Sequence, residues 1–184
     1  MADRRMLNGW FPAGFGAGLV VAVASLAGCD EDTARTVSTV DINGETFYLE
    51  LAADPDTRFL GLGGRDFIAP DGGMLFAFPR PQQMQFVMRD CLVDIDIVFL
   101  DATGRVTAMH HMPKEPLMEE RREGESDAEY NARRQTYELS LKRYTSRSAA
   151  QFVLEFAGGT LERLDLQPGE KVELDTQALI RQAR

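Results

Sequence analysis

Short apolar runs, each closed by a turn signal, dominate the chain from residue 37 onward. Runs 37–42 and 46–51 flank Asn43-Gly44. This arrangement favours a hairpin, because a type I′ turn needs positive φ at both central residues. Further strands are predicted at 74–78, 83–88, 92–100, 105–111 and 149–156, with a last strand ending at Leu174. Successive short strands separated by turns predict a mainly β (α+β) fold, namely a small antiparallel β-barrel with short helices.

Three segments outside these strands carry helix signals. Asp54-Pro55 opens a short helix that continues to Leu62, since Asp caps a helix well and Pro suits its first position. Thr160 begins a helix of one or two turns. Residues 175–184 are either a short terminal helix or a frayed tail.

Residues 117–143 interrupt the strand series and read as a helical insertion. Ser126 and Glu129 have the spacing of a capping box, which marks the start of a helix. One face of this helix carries apolar side chains at helical spacing, namely Tyr130, Tyr137, Leu141 and Tyr144. The helix over 127–144 is therefore either solvated with one docked stripe or a surface for a protein partner.

The N-terminus has the pattern of an export signal. Arg4 and Arg5 precede an uncharged apolar run over 14–27, which is short for a span that needs ~20 apolar residues. Leu26-Ala27-Gly28-Cys29 follows and resembles the bacterial lipobox, whose cysteine thiol carries diacylglycerol. The alternative is an uncleaved anchor with an incidental cysteine. The lipobox predicts an extracytoplasmic protein held at the bacterial membrane by lipid on Cys29.

These signals divide the chain into four parts. We predict a signal peptide over 1–28, a tether over 29–39, the β-barrel domain over 40–176 with its insertion at 117–143, and a tail over 177–184. The formal net charge is -9, so phosphate groups repel the chain and no nucleic-acid partner is expected. With Cys29 acylated, Cys91 has no disulfide partner within the chain.

The sequence carries no catalytic or cofactor signature. There is no Gly-rich phosphate loop after a strand, no GxSxG and no HExxH, so we predict no cofactor, no metal and no catalytic residue. His110 and His111 are neighbours on a predicted strand and point to opposite faces, so they are not expected to share a metal ion.

Asp94 and Asp96 form the densest polar feature. They lie two residues apart, and in a strand they share a face, where two carboxylates repel unless a cation or proton lies between them. The candidate partners are Arg65, Arg80 and Arg89. Two interpretations remain open: an arginine–aspartate lattice that closes the barrel, and a site for a small polar ligand.

Several motifs in order resemble the domain of unknown function 192. The strongest match is 72–79, Gly-Gly-Met-Leu-Phe-Ala-Phe-Pro. Residues 86–91 look like that family's Phe-Trp-Met-Lys-Asn-Thr, and residues 94–101 look like its Pro-Leu-Asp-Ile-Leu-Phe-Ile-Asp. Its closing motifs resemble Val153-Leu154-Glu155-Phe156, Gly158-Gly159 and Pro168-Gly169-Glu170.

The resemblance runs from Phe47 to about Leu174 and implies a small β-barrel, but no activity, because the family is uncharacterised. The chain departs from the pattern at three places. It has Gly-Leu-Gly-Gly-Arg at 61–65 where the family usually has Gly-Leu-Met-x-Arg, Val87 replaces Trp, and Asp90-Cys91 replaces Asn-Thr. The candidate ligand-binding residues are Arg65, Met88, Arg89, Asp90, Asp94 and Asp96.

The function predicted from these features is a lipid-anchored, non-enzymatic protein of the cell envelope that binds a small ligand or another protein. The alternative is a hydrolase-like envelope enzyme that uses Asp94 and Asp96 with His110 or His111. A histidine within hydrogen-bond reach of either aspartate, in a cleft, would favour the enzyme.

Overall fold

The computed structural model describes residues 36–184. The predicted signal peptide and Cys29 lie outside the described residues. The strands are β1 (Val37–Ile42), β2 (Glu45–Ala52), β3 (Gly72–Gln82), β4 (Gln85–Phe86), β5 (Ile95–Leu100), β6 (Val106–Met112), β7 (Tyr144–Thr145) and β8 (Ala150–Ala157). The helices are α1 (Pro55–Leu60), α2 (Asp127–Ser140), α3 (Thr160–Leu164) and α4 (Thr176–Gln182).

Six strands form one sheet in the order β1-β2-β3-β8-β5-β6, and β4 pairs with β7 beside it. The mainly β class with short helices is confirmed. The prediction of a purely antiparallel sheet is wrong for one strand pair, because β2 and β3 are parallel. The segment from α1 to residue 71 supplies the crossover that a parallel pair requires. Within residues 36–184 the pairing of this sheet runs from β1 to β6 without joining them, so barrel closure is not seen.

The first two strands form the predicted hairpin. Asn43 and Gly44 have φ of 51° and 86°, as a type I′ turn requires. The β1 strand begins at Val37, inside the range predicted as tether.

Apolar side chains cover both faces of the sheet. The inner strands β5 and β8 are buried along nearly their whole length, as expected for strands covered on both faces. On the first face, Leu164 of α3 and Leu179 of α4 join the cluster around Phe47, Leu154 and Phe156. The second face packs under loop residues, among them Leu62, Ile68, Met84, Met88, Cys91 and Tyr144. Leu179 docks α4, so the C-terminal segment is a helix and not a frayed tail.

The predicted insertion contains α2, whose capping box between Ser126 and Glu129 is confirmed. No residue of α2 is buried. The helix ends at Ser140, four residues earlier than predicted, because Leu141 takes an extended conformation and Tyr144 joins β7. None of the helices within residues 36–184 has the length and apolar character needed to cross a membrane.

Candidate functional site

A groove of about 1560 Å³ opens over the second face of the sheet. One wall is α1 with the turn 61–64, and the opposite wall is α2 with residues 118–120. Phe76 and Phe78 of β3 and Phe86 of β4 contribute aromatic surface, and the loop over 87–91 closes one end. The groove therefore includes residues of 72–79 and 86–91, two segments in which the sequence resembles the domain of unknown function 192.

Two loops are held in contact at the end of the groove. The Gly64 amide donates to the Asp90 carbonyl at 2.8 Å. A Cβ on Gly63 would lie only 3.1 Å from the Leu60 carbonyl oxygen and 3.4 Å from that of Arg89. Gly63, which stands where the family usually has Met, thus permits this close approach of backbones, and Gly64 beside it has a positive φ of 75°.

Glu155 lines the groove from the centre of the sheet. It lies on β8 in the same alternating row as Val153 and Ala157, whose side chains belong to the second apolar cluster. The residue is only 5% exposed, and within residues 36–184 no hydrogen bond to its carboxylate is found. Burial raises the pKa of Glu155 to about 8, although the positive charge of Arg65 opposes this rise.

Sequence analysis did not single out Glu155 as a site residue, although it belongs to one of the family motifs. The available signal was the one charged residue of the strand over 150–157, whose other residues are apolar except for Gln151. An unpaired buried carboxyl is costly, so such a position indicates either a hidden partner or a functional group.

Arg65 and Met88 do not line the groove. Arg65 donates two hydrogen bonds to the Glu50 carboxylate, at 2.5 Å and 2.7 Å. This pair raises the pKa of Arg65 and uses much of its hydrogen-bonding capacity. Met88 is fully buried in the second apolar cluster. Arg65 therefore acts on the groove through the effect of its charge on Glu155, and Met88 packs beneath the loop.

Arg89 and Asp90 do line the groove. The Arg89 Nε lies 3.1 Å from a Glu138 carboxylate oxygen on α2, and its guanidinium stacks over the Phe59 ring at 4.3 Å. Arg89 thus links both walls of the groove. Asp90 is exposed and has a left-handed backbone, with φ of 55°.

Asp94 and Asp96 lie outside this groove, and the prediction that arginines pair with them is wrong. Asp94 precedes β5, so the two aspartates do not share a strand face. Within residues 36–184, neither pairs with Arg65, Arg80 or Arg89, because the nearer donors are His111 and backbone amides. The Lys114 amide donates to Asp94 at 2.8 Å.

Asp96 is only 1% exposed and has two partners. One carboxylate oxygen lies 2.8 Å from His111 Nδ1, and the other accepts the Leu161 amide at 2.8 Å. Leu161 lies in the first turn of α3, which has no side-chain cap of its own. Asp96 therefore satisfies a free amide at this helix end and orients His111, whose Nε2 lies 3.9 Å from Asp94.

The other two candidate residues, His110 and Cys91, are packed into the fold. His110 Nε2 lies 2.8 Å from the Thr145 carbonyl oxygen, and its ring packs between Phe99 and Tyr144. Cys91 is buried beside the groove, and burial raises the pKa of its thiol to about 12. A thiol with such a pKa is a poor nucleophile. In the described part of the chain, no cluster of three or more His, Cys, Asp or Glu side chains is arranged to hold a metal ion.

We expect Asp96→Asn to destabilise the fold by about 1–3 kcal/mol, because an amide cannot replace both charge-assisted hydrogen bonds of the carboxylate. Chemical denaturation of the full chain measures this loss. The matched control is Asp94→Asn, whose exposed side chain should change stability by less than about 0.5 kcal/mol. Equal stability of the wild-type protein and Asp96→Asn would contradict a structural role for Asp96.

Two solved structures are similar to this chain. One is a candidate transcription regulator from Sinorhizobium meliloti 1021, at 26% identity and a TM-score of 0.58, with 76% of this chain and 94% of that chain covered. The other is a protein of unknown function from Novosphingobium aromaticivorans DSM 12444, at 23% identity and a TM-score of 0.59. That match covers 78% of this chain and 89% of the other, and it supports the fold alone.

No curated protein matches the sequence. The family model for DUF192, described as an uncharacterized ACR, matches residues 38–174. This range contains the six-stranded sheet from its second residue onward, the groove and the insertion. With that extent of the match, the chain belongs to the DUF192 family.

Proposed function

We propose that this protein is a non-enzymatic, lipid-anchored protein of the cell envelope that binds a small ligand in the groove. The observation that carries the proposal is the Glu155 carboxyl, which is buried in an apolar cluster, has no hydrogen-bond partner among residues 36–184 and lines the groove. A protein that needed this position only for packing would be more stable with an apolar residue there.

The groove also has the composition of a ligand site. Such sites are concave and mostly apolar, with a few polar groups that fix orientation and often an ionisable group with a shifted pKa. Phe59, Phe76, Phe78 and Phe86 supply the apolar walls, and Glu155 supplies the polar group at the floor. Because Tyr137 and Glu138 of α2 line the same groove, we assign the insertion to ligand binding and not to a protein partner.

The lipid anchor rests on the N-terminal sequence. Leu26-Ala27-Gly28-Cys29 follows an uncharged apolar run, and stable attachment of a domain to a membrane takes two acyl chains, which a diacylglyceryl cysteine supplies. The acidic chain supports this proposal, because it offers no net positive charge for binding to anionic lipids.

We expect Cys29→Ala to remove the acyl chains and leave the N-terminal segment uncleaved, because the thiol is the attachment point. Metabolic labelling of cells with a clickable palmitate measures this. Cys91→Ala is the matched control and should label as strongly as the wild-type protein, since its thiol is buried. Equal labelling of Cys29→Ala and the wild-type protein would refute the anchor.

Ligand binding is tested by purifying the full chain from membranes in mild detergent and recording native mass spectra. We expect a small-molecule adduct on the wild-type protein. Val87→Trp should lose it, because Val87 is half-buried in the groove and the larger ring fills that space. Val37→Trp, at an exposed position of β1, should retain it. Absence of an adduct, or an adduct on all three proteins, would contradict binding in the groove.

A second candidate function is hydrolysis by His111. Its Nδ1 is held by Asp96 at 2.8 Å, and its ring is 55% exposed, which is the arrangement of an oriented general base. Against it, His111 does not line the groove, nor does it line a smaller depression of about 400 Å³ to which Asp94 and Lys114 contribute. Release of p-nitrophenol from p-nitrophenyl acetate that is lost in His111→Ala would favour this function.

A further inference from the structure

We infer that the ligand of the groove is a small organic cation, and that the Glu155 carboxylate is its counter-charge. This inference rests on the proposed function and specifies the class of molecule bound. Three observations support it: the surroundings of Glu155, the charge balance of the groove, and the distribution of aromatic rings.

The first observation is that no cationic side chain within residues 36–184 forms an ion pair with Glu155. The positive charge that lowers the pKa of Glu155 is that of Arg65, but that guanidinium is held by both oxygens of Glu50. A cation that entered the groove would supply the missing partner. Within a desolvated site such a charge pair is much stronger than at the surface.

The second observation is the charge of the lining. Three arginines line the groove against five carboxyls, which belong to Asp90, Glu119, Glu120, Glu138 and Glu155. Arg89 is already paired with Glu138. The groove therefore carries an excess of negative charge, and the whole chain adds to it with a net charge of -9. An anionic ligand would meet repulsion at the mouth and at the floor.

The third observation is that the aromatic rings of the groove already bind cations. Arg89 stacks on Phe59 at 4.3 Å, and Arg58 stacks on Phe78 at 4.9 Å. Phe86 is half-buried, lines the groove and packs edge to face on the buried Phe76 at 5.2 Å, but no protein cation stacks on the Phe86 ring among residues 36–184. The Phe86 ring therefore leaves aromatic surface for a cationic group of the ligand.

The main alternative is a neutral ligand that accepts a hydrogen bond from protonated Glu155. The two ligand classes have opposite pH dependence. A cation binds the ionised carboxylate, so its affinity rises as Glu155 loses its proton. A neutral acceptor needs the protonated acid, so its affinity falls over the same range.

The test uses three probes with the same ring and different charge: benzyltrimethylammonium, benzyl alcohol and benzoate. The quaternary ammonium keeps its charge at every pH, so any pH dependence comes from the protein. Calorimetric titration of the full chain in detergent gives the Kd between pH 6 and pH 9. The ¹³C-methyl signal of Met118, which lines the groove, locates the binding, with Met109 on the opposite face of the sheet as control.

For the wild-type protein we expect benzyltrimethylammonium to bind best, with a Kd that falls about tenfold per pH unit from pH 6 and levels off above pH 8. Glu155→Gln should remove this pH dependence and weaken binding at pH 9 at least about tenfold. Glu162→Gln is the matched control, because it removes the same charge from an exposed position of α3. Its Kd should stay within about twofold of the wild-type value.

The outcomes separate this inference from the proposed function. If benzyl alcohol or benzoate shifts the Met118 signal and binds more tightly than the cation, the inference is overturned and a ligand site remains. If the cation binds equally well to Glu155→Gln at pH 9, Glu155 is not the counter-charge and the inference is overturned. If no probe shifts Met118 and no adduct is found on the wild-type protein, both proposals are overturned.

Discussion

Glu155→Gln should be more stable than the wild-type protein by about 3–5 kcal/mol at pH 9 and nearly equal to it at pH 4. The expectation follows from the raised pKa of Glu155, about 8 in the folded protein against an ordinary value of 4.5. Between these two values the folded protein retains a proton that the unfolded chain has lost. Wild-type stability therefore falls by about 1.4 kcal/mol per pH unit over this range and stays low above pH 8.

Glutamine has the shape of the protonated acid but cannot ionise, so the variant lacks this loss. Urea denaturation of the full chain at pH 4, 7 and 9 measures the difference, and Glu162→Gln controls for general charge effects. A stability difference that does not change with pH would show that Glu155 has an ordinary pKa. A less stable variant at pH 9 would show that the carboxylate has a strong partner in the folded protein.

Gly73→Ala should destabilise the fold by at least about 3 kcal/mol, which is large against the total stability of most domains. Gly73 lies on β3 opposite β8, and an added Cβ would lie only 2.0 Å from the backbone oxygen of Glu155. Its φ of 148° is also one that residues with side chains rarely adopt. The two central strands would have to separate to accept the methyl group.

Thermal unfolding followed by circular dichroism tests this expectation. Gly44→Ala is the control, because Gly44 also has a positive φ but no atom lies within 4 Å of the added Cβ. It should lose only about 1 kcal/mol. If both variants unfold at the same temperature, the contact between β3 and β8 is not as tight as the distance indicates.

The local elements were predictable because their signals are local. The Asn43-Gly44 turn, the capping box at Ser126 and the apolar run of β5 each depend on a few neighbouring residues. The family motifs include Glu155, and the sequence predicts a strand at this position, but it does not predict which residues surround the carboxyl group. Its importance comes from the loops that leave it buried and open to the groove, and those contacts join residues far apart in the sequence.

The predictions were wrong where the outcome depended on the direction of one strand pair or on the exact residue at which a strand begins. The alternation of apolar and polar residues cannot predict that β2 and β3 are parallel, because side chains alternate in the same way in parallel and antiparallel strands. Asp94 was placed on the strand with Asp96, although β5 begins one residue later. The partners of Asp96 come from β6 and α3, and the sequence gives no sign that these elements meet at this carboxylate.

The lack of any buried residue in α2 has a consequence for how the groove can change. The helix supplies one wall of the groove, yet the sheet and its two apolar clusters do not depend on it for packing. Mutations in α2 can therefore alter the shape and charge of the groove without compromising folding. If the groove binds a ligand as proposed, selection for new ligands can act on this wall independently of selection for stability, which makes the insertion a suitable target for engineering.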